Sequence, residues 1–262
     1  MRGKSVLQVL NILGFLGVVA VNYAANAVPI GGVDTGEVAD MYPNLFTPAG
    51  FTFSIWGVIY LLLLGFAIYQ ARDLFSSQKI EMPFMNSIGY LFFITCLLNI
   101  GWIFTWHYLL PGLSLIIMIL FLLTLIKIYV NLGVGFQQVN RGESILVYLP
   151  FRIYLGWITI ATIANVTAWL VHIGWDGFGI PEDIWTVVVI AAAVVITMAF
   201  LKLRYDVVIG LVSIWSLFGI LMKRLEADPM EMTVIIAVVV ALAIIGIYTA
   251  ITAARSMMTV TK

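Results

Sequence analysis

The chain has 262 residues, 63% hydrophobic and only 10% charged, with thirteen basic side chains against thirteen acidic ones and a mean hydropathy of +1.09. No soluble domain of this length buries so much apolar surface, so composition predicts a polytopic, all-α membrane protein. Zero net charge argues against nucleic acid as a partner, and two histidines with one cysteine, none closely spaced, provide no metal site.

A helix crosses the hydrocarbon core with about 20 apolar residues, and charge-free runs mark eight such spans. They lie at about 5–26, 50–71, 85–109, 111–130, 150–173, 183–202, 205–222 and 233–254. The third and fourth come from one long run divided at Pro111-Gly112, since proline starts helices well and interrupts their interiors. Arg2 and Lys4, the first apolar run and Ala25-Asn26-Ala27 also fit a cleavable signal peptide. The length of that run and its Asn11, Asn22 and Tyr23 favour a first span instead. Cys96, inside the third span, is expected to be inert packing.

Lysine and arginine set the orientation. With the N-terminus inside, Arg2, Lys4, Arg72, Lys79, Lys127, Arg141, Arg152, Lys202, Arg204, Arg255 and Lys262 fall inside, and only Lys223 and Arg224 outside. Both ends are then expected to be cytoplasmic. The loop from Ala27 to Ala49, acidic at Asp34, Glu37 and Asp40, is expected to be external, as is the loop with Asp176, Glu182 and Asp183.

Three spans carry aromatic and asparagine stripes at helical spacing. The second has Phe53, Trp56 and Tyr60, with Pro48 and Gly50 as turn residues at its mouth. The third has Asn99, Trp102 and Trp106, and the fifth has Tyr154, Trp157, Ala161, Asn165 and Trp169. Tryptophan and tyrosine also form interfacial belts, the expected role of Tyr42, Tyr108, Trp175 and Trp185, and a single asparagine often just bonds a neighbouring helix. Three stripes of the same chemistry point further, to a cavity whose rings stack on a flat apolar ligand and whose amide groups orient it.

These residues resemble the TspO/MBR family of tryptophan-rich sensory proteins, which includes the mitochondrial translocator protein. The matching positions are Pro48 through Trp56-Gly-Val-Ile-Tyr60 with Gly65, then Leu98-Asn99 and Trp102, then Pro150, Tyr154, Trp157, Ala161, Asn165 and Trp169. The resemblance implies a five-helix membrane domain over residues 1–175, with the loop after the first helix folded over a pocket. Residues 176–262 then form a three-helix membrane extension. It also implies an apolar ligand such as a porphyrin or sterol, and no obligatory cofactor. By position, Trp56, Asn99, Trp102, Trp157 and Ala161 match pocket-lining residues; Pro48, Phe53, Tyr60, Trp106, Tyr154 and Asn165 complete the expected ligand set. The chain departs from the family where a Pro-Pro pair is common, having Pro48-Ala49, and its covering loop lacks tryptophan.

Arg152, Lys202, Arg204, Asp206, Lys223 and Arg224 read as span-end anchors, and Arg141 with Glu143 as a solvated loop. His107 and His172 read as interfacial hydrogen-bonders, and Asn11, Asn22 and Asn26 as bonds across helices, the last two alternatively as contacts to the external loop. No span carries a central Asp or Glu, which weighs against a proton-coupled carrier, and no acid/base pair suggests catalysis. A retinal photoreceptor fails for want of a lysine between Thr233 and Ala254. The expected function is ligand binding with a sensory or regulatory role, with export of the same ligand as the alternative. Membrane lipids and the ligand are the expected partners; no helix has the GxxxG dimer pattern.

Overall fold

The computed structural model describes residues 2–28 and 30–260, with side chains at 3–28 and 30–255. Expectations for the Arg2 side chain and for Lys262 lie outside the described residues. The described chain is helical, without a strand. Its helices are α1 (Arg2–Ala27), α2 (Thr35–Asp40), α3 (Ile55–Gln70), α4 (Pro83–Ile88), α5 (Leu91–His107) and α6 (Pro111–Asn131), followed by α7 (Arg141–Glu143), α8 (Leu149–His172), α9 (Glu182–Leu203), α10 (Val207–Leu225) and α11 (Met232–Val260). A 3-10 turn, Gly50–Ser54, leads into α3, and a wide π-helical turn, Ser144–Tyr148, joins α7 to α8.

Among the described residues, seven helical stretches are long and apolar enough to cross a membrane. The expected span at 85–109 differs from these. It is divided at Gly89, whose φ of +51° belongs to glycine, into α4 and α5. At 1.5 Å per residue the 17 residues of α5 extend about 26 Å, somewhat short of a hydrocarbon core of roughly 30 Å. Pro111 starts α6 as expected, at a position where its missing N–H costs nothing.

By contacts the chain groups into two compact units. One comprises Met1–Val38 and Ile55–Leu155; the other comprises Ala39–Ser54 and Gly156–Lys262. In the first, α5 packs against α1 and α6, and α1 against α3. Its core includes the rings of Phe66, Phe92 and Phe151, which meet edge-to-face at 4.9–5.8 Å. At one end of α1 the Asp73 carboxylate accepts from Lys4 Nζ, Gln8 Nε2 and the Ile80 N–H, each at 2.7 Å. Gln70 returns a bond to the Gln8 carbonyl, and Asn11 reaches Gln70 at 3.5 Å.

In the second unit α9, α10 and α11 pack on one another around Ile190, Ala193, Leu217, Ile220, Val234 and Val238. The segment before α3 is pinned to α10. The Ala49 N–H donates to the Gly219 carbonyl at 3.0 Å, and Trp215 Nε1 donates to the Thr52 carbonyl at 3.0 Å. Phe51 lies edge-on to Trp215 and Phe218.

Three residues expected at the interface turn out to be buried. Tyr42 is 7% exposed and meets His172 edge-on at 6.0 Å; the loop carrying it packs onto protein. Asp206 is fully buried because its carboxylate caps α10, accepting from the N–H groups of Val208 and Ile209. Arg224 is 8% exposed, enclosed by the 39–47 loop and the start of α9.

Candidate functional site

In the first unit, α3 and α5 each present two rings one turn apart, and the four form a ladder. Tyr60 stacks on Trp56 at 5.5 Å and 20°, Trp56 on Trp102 at 5.8 Å and 30°, and Trp102 on Trp106 at 6.1 Å and 19°. Near-parallel planes at these separations are offset stacks, the arrangement the ring quadrupole favours. Helical spacing explains each pair on its own helix: Trp56 and Tyr60, like Trp102 and Trp106, are four residues apart. The junction between helices, Trp56 on Trp102, is a tertiary product.

A polar line runs beside the ladder. Asn22 Nδ2 donates to Asn99 Oδ1 at 2.7 Å, and Asn99 Nδ2 donates to the Tyr154 hydroxyl at 3.1 Å. Asn99 is fully buried, Tyr154 2% exposed and Asn22 7%. The buried Tyr60 hydroxyl faces both asparagines without reaching hydrogen-bond geometry. Tyr154 also meets Trp56 edge-on at 5.9 Å and Phe121 at 5.2 Å. Four helices, α1, α3, α5 and α8, thus bring a ring or amide to one place, and α6 backs it with Phe121.

The chain following α1 is latched to the C-terminal end of α5. His107 Nδ1 donates to the Ile30 carbonyl at 2.9 Å, since a carbonyl oxygen only accepts, and His107 Nε2 lies 3.1 Å from Thr35 Oγ1. Trp106 Nε1 donates to the Thr35 carbonyl, and Asn26 Oδ1 accepts from the Thr35 N–H. The last ring of the ladder therefore also holds the loop.

Of the expected ligand residues, Trp56, Tyr60, Asn99, Trp102, Trp106 and Tyr154 come together in this group. Pro48, Phe53, Trp157, Ala161 and Asn165 belong to the second unit. There Phe53 meets Trp157 edge-on at 5.9 Å, and Asn165 Nδ2 bonds back to the Ala161 carbonyl. Trp157 and Asn165 are buried, and Ala161 is half-buried. Pattern reading passed over two contributors and the partner of a third. Phe121 sat in a span with neither stripe residue, Thr35 in a stretch whose partners are all distant in sequence, and for Asn22, expected to bond across helices or to the external loop, the partner Asn99 was not named.

A family model described as TSPO-like protein matches residues 8–251, which runs from α1 through α9 and α10 and into α11. No curated protein and no solved structure matches the chain. The match extends over most of the chain and agrees with seven apolar membrane-length helices among the described residues and an aromatic cluster within the first unit. This chain belongs to the TSPO-like protein family and is an integral, multi-pass membrane protein.

Proposed function

We propose that the protein binds a flat, mostly apolar molecule, such as a porphyrin or a sterol, against the Tyr60–Trp56–Trp102–Trp106 ladder, in a sensory or regulatory role. The ladder itself carries the reading: four stacked rings offer a face that a fused-ring ligand can join in place of ring–ring contact. Asn99 and Tyr154 supply directed polar groups in an otherwise apolar wall, which orients a ligand more than it tightens it. The Phe53–Trp157 pair of the second unit is a separate candidate contact, proposed on the resemblance. We further infer eight spans, α5 included, with both termini cytoplasmic, supported by the eleven-to-two distribution of basic residues.

Quenching of tryptophan fluorescence in the purified protein, against porphyrins, sterols, carotenoids and lipids, tests the ligand reading. Trp102→Ala should weaken porphyrin binding by about 1–3 kcal/mol, the scale of one large aromatic contact. Trp185→Ala, whose indole already bonds the Gly177 carbonyl, should leave the affinity unchanged. Equal losses at the two sites would remove the ladder as the site. Ligand efflux from proteoliposomes distinguishes export from binding alone.

A further inference from the structure

A concavity in the second unit is bounded by the 39–47 stretch, the start of α9 and the end of α10. Its volume is about 370 Å³, and its charged lining is Asp40, Glu182, Lys223 and Arg224. Tyr42, Asn44 and Thr47 add polar wall. Its charged residues stand at helix ends: Glu182 opens α9, and Lys223 and Arg224 lie in the last turn of α10. This is headgroup depth for a protein whose α9 and α10 cross a bilayer.

Arg224 is the unusual member. It is 8% exposed, and its Nε has no hydrogen-bond partner. Of the two acids in the lining, Asp40 pairs with Lys223, and one Glu182 oxygen accepts the Leu45 N–H at 3.2 Å while the carboxylate keeps further acceptor capacity; Glu231 also bears on Arg224 electrostatically. A guanidinium taken out of water is costly unless an anion meets its planar fork. A mere anion site would leave out the carboxylates, which repel one. With two charges of each sign, the cleft complements a ligand that also carries both.

We propose that this cleft binds a zwitterionic phosphate–amine group, its phosphate on Arg224 and its ammonium on Glu182. That chemistry is shared by a phosphoethanolamine lipid headgroup and by free phosphoethanolamine. The site is separate from the aromatic ladder, and neither depends on the other.

Native mass spectrometry of the full-length, detergent-purified protein tests it, with phosphatidylethanolamine, phosphatidylglycerol and diacylglycerol of identical chains added at equal concentration. Free phosphoethanolamine is the competitor. Phosphatidylethanolamine should be retained about tenfold over diacylglycerol, the scale of one charge-assisted hydrogen bond, and also above phosphatidylglycerol. Arg224→Gln should abolish that preference, with circular dichroism verifying the fold. Displacement of the lipid by free phosphoethanolamine at comparable concentration identifies the headgroup alone as the ligand; displacement only by lipid shows that the acyl chains take part. Equal retention of diacylglycerol by the wild-type protein would overturn the proposal without any variant. Preference for phosphatidylglycerol, or an unchanged preference in a folded Arg224→Gln protein, would do so too.

Discussion

Asp73 is the clearest case in which one side chain organises its surroundings. Burial by itself would push its carboxyl up, but the bonds from Lys4, Gln8 and the Ile80 N–H more than offset that and hold it well below the usual carboxylate range. A group whose folded value is depressed stabilises the fold fully above its unfolded value, about 3.9, and loses that contribution as pH falls toward the folded value. Thermal melts of the wild-type protein should therefore be flat in this respect above about pH 5 and decline below about pH 4. Asp73→Asn should flatten the acid decline and lower stability at pH 7 by about 2–3 kcal/mol, a buried-pair loss reduced by the partial exposure of Lys4. An unaltered acid profile in the variant would assign the decline to other carboxylates. Asn99 works differently. Its two bonds join α1 to α8 through α5, and their value in a membrane interior is about 0.6–2 kcal/mol each, enough to fix register but not to drive assembly.

At the scale of elements, the segment before α3 shows how a loop becomes part of the packed structure. Thr52 is fully buried against α10, and a Cβ on Gly219 would collide with its Oγ1 and lie 2.9 Å from its Cβ. Thr52 is short and branched at Cβ, so it has nowhere to swing. Gly219→Ala should then cost about 1–3 kcal/mol, the usual cost of overpacking, and loosen the segment from α10. Trp215 reports on this, because its indole N–H bonds the Thr52 carbonyl: its emission should shift in Gly219→Ala and recover when Thr52→Gly is added. A melt and an emission spectrum identical to wild type would show that the helix and the turn separate at little cost. The 39–47 stretch that lines the zwitterion cleft runs directly into this segment, so loosening it should also lower lipid retention there.

For the whole molecule the open quantity is the passage of the chain through the bilayer. Eleven of thirteen basic residues fall on one side in the eight-span reading, which requires α5 to cross although it is only 17 residues long. Cysteine tags at both ends, and a cysteine replacing Lys79, should resist an impermeant maleimide in intact cells. Val28→Cys, exposed on the loop after α1, should react. Cys96 is buried and contributes no background. Labelling of the C-terminal tag but not the N-terminal one would leave α5 as a helix that does not span, consistent with its length.

Much of this architecture was legible in residue order. Charge-free runs located the apolar helices, Pro111 the start of α6, and helical spacing the rings on α3, α5 and α8, because these depend on contacts within a few residues. The break at Gly89 was not legible, since a glycine inside an apolar run reads equally well as helix. Nor was the fate of charged residues at span ends. Asp206, Lys223 and Arg224 look alike as anchors, yet one caps a helix, one pairs with Asp40, and one is enclosed by a loop from far along the chain. Sequence by itself determined which faces carry rings, amides and charges. Tertiary structure alone decided which faces meet: Trp56 on Trp102, Asn22 on Asn99, Thr52 on Gly219. The physical reason is that periodicity records only the side to which a residue turns, whereas a stack, a hydrogen bond or a close approach depends on the relative rotation and depth of two helices.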